Sequence, residues 1–285
     1  MPHKEAAEVP KPQQGAPEYN SNPFTLAFRS MVKLFSTNAN WAIAAVVLAF
    51  LGAVGQGIGD IGRALSEPSS TNTLGSSRAG PALDATVIIA IAIVVFVILL
   101  VAVVVGTVFS VFVQGMFAHV ALESEKGRTV SLNEAFTAVT KRFWRLFLAR
   151  LLANLKIFGW TLLLIVPGII ASLRYKLLTY VIMSEPEGSG AVAESHTRVK
   201  AVTKGRLMEV FGVETVAAIV PFIGSLLSIC GGAALYRQLS HYTDNNIQKP
   251  AVHILNYLGF LLLILLIGFI IMITALVLVI AAQSS

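Results

Sequence analysis

Two stretches of this chain, Thr86 to Val105 and Tyr257 to Ala282, run for twenty or more residues without a charged side chain. An apolar helix of roughly 20 residues matches a hydrocarbon layer of about 30 Å. Hydrocarbon offers the backbone no hydrogen-bond partners, so such runs must be helical inside a membrane. The rest of the chain agrees, with 55% hydrophobic and 13% charged residues over 285 positions. Soluble domains carry roughly a quarter charged residues. The fold class expected is therefore an all-α polytopic transmembrane bundle of six or seven spans with interfacial amphipathic helices.

The spans expected are 41–58, 86–113, 145–166, 168–184, 206–220, 223–242 and 254–282. The stretch "LLLIVPGIIASLRYKLLTYVIM" at 162–183 demands the split, because a single helix over 145–184 would be about twice the hydrocarbon thickness. Pro167 has no N–H and Gly168 tolerates unusual dihedrals, so the pair is expected to form a hairpin tip. Pro221 and Gly224 are expected to turn a second hairpin. Four domains follow: a disordered tail over 1–22, a first interfacial helix and transmembrane pair over 23–122, repeated helix-plus-hairpin units over 123–250, and an added span over 251–285. The repeat is marked by Ala-Val-Thr-Lys at both 138 and 201. Basic amphipathic segments at 24–36, 131–146 and 189–204 precede the hairpins, the last with Ser189 as a candidate N-cap.

Basic residues concentrate in alternate connections, including Lys126, Arg128, Lys141, Arg142 and Arg145, whereas 59–85 holds only Arg63 and Arg78. Cationic residues near span ends remain on the cytoplasmic side. The N terminus is thus expected in the cytoplasm and the protein in the cytoplasmic membrane. No apolar leader occurs in the first forty residues, so the first span is expected to act as an uncleaved anchor. The net charge of +6 reads as topology and as attraction to anionic lipid, with no nucleic-acid partner indicated.

Charge inside a span is costly and calls for a partner or a task. Counted from tips at Pro167 and Pro221, Arg174 lies level with Glu214, and Lys156 with Glu209, so two intramembrane ion pairs are expected. Lys176 has no evident partner. Two readings remain open: these charges hold the hairpins together, or Arg174 and Lys176 line a polar cavity that receives a phosphate or carboxylate headgroup. Small residues at Gly106, Ser110, Gln114 and Ala118, and at Gly55 and Gly59, read as close-packing positions. His119 and Glu123 are too few to hold a metal, and the lone Cys230 reads as a small buried residue. No nucleophile and base pair, phosphate loop or dinucleotide fingerprint is present, so neither an enzyme nor a cofactor is expected.

Over residues 130–243, Pro167-Gly168, Arg174-Tyr175, Ser195, Gly205 and Tyr236-Arg237 resemble the pattern of an uncharacterised superfamily of bacterial and archaeal integral membrane proteins. That superfamily includes the membrane domain sometimes fused to glycerophosphodiester phosphodiesterases. The resemblance implies a polytopic helical domain without established activity. It does not imply phosphodiesterase catalysis, which resides in a separate soluble barrel. The function expected is that of a non-enzymatic multi-pass protein that binds or organises anionic lipid or a membrane assembly, with a membrane-protein partner. The alternative is a small-solute or lipid transporter that uses the intramembrane charges.

Overall fold

The computed structural model describes residues 18–48, 85–188 and 190–283. Those residues form helices α1 (Pro23–Thr37), α2 (Ala39–Leu48), α3 (Ala85–Glu125), α4 (Leu132–Leu163), α5 (Ile165–Tyr175), α6 (Leu178–Ser184), α7 (Val192–Thr203), α8 (Leu207–Ile219), α9 (Gly224–Asp244) and, after a 3-10 turn over Ile254–Tyr257, α10 (Leu258–Gln283). No strand occurs among the described residues. Four helical segments are long and apolar enough to cross a membrane: Ile89–Glu125, Leu132–Leu163, Ile165–Ser184 and Ile254–Ile280. The bent pair α1–α2 brings the number to five if it is one span. Among the described residues the expected six or seven is not reached. At 13 residues α8 is short, and α9 carries Ser225, Ser228, Arg237 and Gln238 along its length. The expected tail over 1–17, the Gly55 and Gly59 pair and Ser189 lie outside the described residues.

The sharp bend between α1 and α2, 118°, is organised by one side chain. Asn38 donates its own backbone N–H to the Leu34 carbonyl, closing α1, while its carbonyl accepts from the Trp41 and Ala42 N–H groups, opening α2. Its side-chain amide donates to Ser124 Oγ (2.7 Å) and to the Arg128 carbonyl (2.9 Å), and its Oδ1 accepts from the Val130 N–H (2.7 Å). Trp41 adds a bond from Nε1 to the Val130 carbonyl (3.0 Å). Helix ends leave backbone groups without partners. Here one buried asparagine supplies partners to two ends and fastens both to the loop after α3.

The interfacial segment expected at 131–146 and the span expected at 145–166 are one continuous helix, α4, started by the Ser131 Oγ accepting from the Glu134 N–H (3.1 Å). The corresponding segments of the next unit are separate. After the shared Ala-Val-Thr-Lys, α4 continues through Arg142, whereas the second copy meets Gly205, whose φ of +71° ends α7 before α8 begins. Left-handed dihedrals suit glycine and terminate helices.

The first hairpin turns earlier than expected. Leu164, extended at φ −156° and ψ 133°, is the tip, and Pro167 and Gly168 fall in the first turn of α5. A first-turn proline loses nothing, because its missing N–H would be unpaired there. Gly168 serves close approach: a Cβ at this position would lie 2.2 Å from Thr161 Oγ1 and 2.8 Å from Thr161 Cα on α4. The second hairpin turns at Pro221 as expected, through a three-residue turn with the Ile223 N–H donated to the Pro221 carbonyl (2.8 Å) and Phe222 at φ +64°. Gly224 opens α9 where a Cβ would collide with the Ala217 carbonyl at 2.0 Å.

The core sits toward the ends of the long helices that carry the basic connections. Leu146 and Val139 of α4, Val120 of α3, Leu177, Leu178 and Ile182, and Leu226, Leu235 and Leu239 of α9 are essentially inaccessible. Gly115 is where α3 and α4 meet closely, since a Cβ there would touch Leu146 and Val139. Gly106, expected to be the packing position, has open space around it. From Ile89 through Val105 α3 is exposed, as is α10 from Phe260 to Ile280, with its start packed against α8 and the 3-10 turn. These apolar surfaces are the ones a hydrocarbon layer would cover.

Residues 18–22, assigned by composition to the tail, are fastened to the bundle. The Tyr19 hydroxyl donates to Glu209, the Asn20 N–H to Gln238 Oε1 (3.1 Å), and Asn256 Nδ2 to the Ser21 carbonyl (2.6 Å). Asn22 then caps α1. We expect Asn38→Ala to lower stability by about 2–4 kcal/mol, since it deprives the Ser124 hydroxyl, the Arg128 carbonyl and the Val130 N–H of their buried side-chain partner. Thermal unfolding in detergent should show a clear fall in midpoint relative to an exposed control such as Ser36→Ala; equal midpoints would refute the role given to Asn38.

Candidate functional site

Six helices contribute to a cavity of about 670 Å³. From α4 come Arg150, Asn154 and Ile157, at i, i+4 and i+7. Glu214, Ala217 and Ala218 of α8 and Ser225, Ser228 and Ile229 of α9 follow the same helical spacing. Gln114 and Ala118 of α3 close one side, and the end of α5 with the start of α6 closes another. The interruption between α5 and α6, at Lys176 and Leu177, lies in this wall.

Lys176 Nζ stands 2.7 Å from Glu214 Oε2, and Ser228 Oγ donates to Glu214 Oε1 (2.8 Å). The hairpins α4–α5 and α8–α9 are thus joined by an ion pair, but Lys176 is its cation and Arg174 is not. Arg174 is half-buried, lies off the cavity wall and has neither an ion pair nor a hydrogen bond among the described residues. Counting depth from the tips left out rotation. Residues 174 and 176 are two apart, hence about 200° around a helix, so only one of them faces α8. The earlier tip at Leu164 also shifts the register on which the depth comparison relied.

The second expected pair is likewise absent. Glu209, 1% exposed, pairs with Arg206 Nη1 (3.0 Å) and accepts from the Tyr19 hydroxyl at 2.7 and 2.6 Å. Burial, followed by the Glu209 carboxylate, pushes the Tyr19 phenol well above its ordinary value, so it remains a donor. Lys156 instead lies 5.8 Å over the Tyr175 ring.

Arg150 is the cavity residue that the sequence reading missed. Its Nε donates to Thr179 Oγ1 (3.0 Å), and no carboxylate lies within ion-pair distance of it among the described residues. The available signal was an arginine inside "LFLARLLANLKIF", four residues before Asn154 on the same helical face. Tyr180, also on the wall, donates its hydroxyl to the Ile229 carbonyl (3.0 Å). The wall therefore offers an unpaired guanidinium, an ammonium shared with one carboxylate, and several hydroxyl and amide groups. That inventory suits an anion with further hydrogen-bonding atoms. Among the described residues no group of three or more His, Cys, Asp or Glu could hold a metal, His119 and Glu123 included.

Toward the basic connections, α7 is fastened by Arg145. Its Nε and Nη2 donate to Ser195 Oγ (3.1 and 2.7 Å), and its guanidinium also pairs with Glu185. Ser195 is fully buried. Arg142 donates to the Glu185 carbonyl (3.0 Å), and His196 Nε2 contacts the Ala149 carbonyl at 3.1 Å. Val199 and Val202 face inward as expected, while Lys200 and Lys204 are exposed. The α7 segment is thus packed into the bundle on one side.

The chain matches no protein-family model, no curated protein and no solved structure.

Two measurements test this geometry. Lys176→Glu and Glu214→Lys should each lower the folded yield, and the double exchange should restore most of it, with a coupling of about 1 kcal/mol; a double variant no better than the singles would remove the pair. Burial, then the Lys156 and Lys200 charges, hold the His196 imidazole below its ordinary value. The unfolded chain then binds more protons than the folded one as pH falls through about 6.5. Stability should decline on acidification in that window, and less so in His196→Gln; parallel midpoint curves would contradict this.

Proposed function

We propose that this chain is a non-catalytic multi-pass protein of the cytoplasmic membrane that holds an anionic lipid headgroup in the cavity between its two hairpins. In this reading the N terminus is cytoplasmic, and α8 and α9 enter the membrane beside α4 and α5. The observation that carries it is Arg150: a guanidinium on the wall of a cavity, bonded to one threonine and matched by no carboxylate among the described residues. A charge in such a setting is costly unless it meets a counter-ion. A phosphate diester supplies one and engages the planar guanidinium through two oxygens. The resemblance over residues 130–243 to membrane domains without catalytic machinery supports the same assignment.

Transport of a small anion or lipid is the second reading, favoured by the Lys176–Glu214 pair. That pair joins separate hairpins across the cavity, so its opening would alter access. Flux in proteoliposomes that disappears in Arg150→Ala would establish it.

Native mass spectrometry of the protein in mild detergent, with thermal unfolding as a control for folding, tests the lipid reading. Wild type should retain an anionic phospholipid. Arg150→Ala should lose it by about tenfold or more, in keeping with one charge-assisted contact. Glu214→Gln, which releases Lys176, should retain more. Equal retention by wild type and Arg150→Ala would defeat the proposal.

A further inference from the structure

Asn154 sits on α4 one turn beyond Arg150, on the same face, and both line the cavity between the hairpins. Its amide makes no hydrogen bond among the described residues. An amide without a partner is costly on a segment apolar enough to cross a membrane. We propose that the cavity selects a phosphate diester of a polyol, such as phosphoglycerol, with Asn154 and Gln114 meeting the hydroxyl groups of the alcohol. The inference rests on the headgroup reading of this cavity and names the chemical class of the ligand.

The wall divides into a part suited to phosphate and a part suited to hydroxyl groups. Arg150 donates Nε to Thr179, which leaves Nη1 and Nη2 without partners among the described residues. Four residues along a helix advance about 6 Å. A phosphate on Arg150 therefore places its esterified alcohol beside Asn154, whose amide both donates and accepts. Gln114 of α3 donates Nε2 to Ser110 (2.8 Å), and its Oε1 stays free to accept. Ser225, at the start of α9, adds a hydroxyl with no partner among the described residues. Free acceptors call for a ligand that donates, and the phosphate of a diester has no proton to give. An alcohol with several hydroxyl groups supplies those donors.

The charges disfavour an amino alcohol. Lys176 and Glu214 cancel one another, so Arg150 leaves the wall one positive charge, which a diester monoanion neutralises. Both Glu214 oxygens are engaged, Oε2 by Lys176 (2.7 Å) and Oε1 by Ser228 (2.8 Å). The ammonium of an ethanolamine headgroup would stand between two cations with no free carboxylate to meet it. A phosphate monoester would occupy Arg150 and leave the acceptors of Asn154 and Gln114 unused.

Native mass spectrometry of the full chain, released from nanodiscs holding equal amounts of phosphatidylglycerol, phosphatidylethanolamine and phosphatidate, tests the class. Wild type should retain phosphatidylglycerol over each of the others by about tenfold. Asn154→Leu should cut the preference over phosphatidate by about three- to tenfold, the range of one or two hydrogen bonds. Gln114→Leu should act in the same direction. Both side chains are exposed, so thermal unfolding should show both variants folded, and each reports if the other does not. Arg150→Ala should lose both anionic lipids; if it retains them, the headgroup reading itself fails. If Arg150→Ala loses them while wild type holds all three lipids equally, or while both amide variants keep the wild-type preference, the polyol assignment alone is overturned. Phosphatidylglycerol that excess glycerophosphoglycerol does not displace supports a lipid ligand, and displacement supports the free diester.

Discussion

Hydrocarbon provides no hydrogen bonds, and the architecture depends on that constraint more than on any single contact. A backbone group buried without a partner costs several kcal/mol there, so a chain can leave the helical conformation only where something else supplies donors and acceptors. Each interruption seen here meets that condition in its own way. Asn38 supplies its own amide to the loop after α3 while its backbone serves α1 and α2. At Leu164 the N–H still reaches the Trp160 carbonyl, Gly168 reaches back to Leu164, and Pro167 has no N–H to satisfy. At Phe222 a tight turn closes upon itself.

The same constraint governs the charges. Glu209 is buried, yet it has Arg206 on one side and the Tyr19 hydroxyl on the other, and the segment bearing Tyr19 is held in place by bonds to α9 and to the 3-10 turn. Arg145 meets both Glu185 and a buried serine. Such pairs are expensive to break, because the surviving charge is left without compensation. They fasten α7 and α8 to the rest of the bundle. Arg150 and Arg174 depart from this pattern; Arg150 alone of the two stands on a cavity wall, and that makes its cavity a candidate for binding.

Two cavities differ in the balance of their charges. Between the hairpins, apolar residues such as Ile157 and Ala217 share the wall with one unmatched cation, an environment suited to a headgroup whose tails remain in lipid. Around the end of α3 and the second half of α9, cations and hydroxyls line a smaller cavity, and each cation has a carboxylate partner.

The helical class, the long apolar segments, the turn near Pro221 and the inward face of α7 were legible in the sequence, because periodicity and chain length act locally. Legibility ended where rotation and approach distance decided. Pro167 and Gly168 look like a tip, yet Leu164 is the tip, since a first-turn proline is helix-compatible and Gly168 is needed for contact with Thr161. Lys176 and not Arg174 reaches Glu214, because two residues along a helix separate side chains by about 200°. Tyr19 and Arg150 escaped the sequence reading, the one assigned by composition to a tail, the other isolated among leucines. Sequence alone determined that this chain makes apolar helices with cations grouped at their ends, since local composition sets where backbone can be buried. Tertiary structure decided which charges meet and which is left unmatched, because pairing depends on the relative rotation and depth of helices distant in sequence.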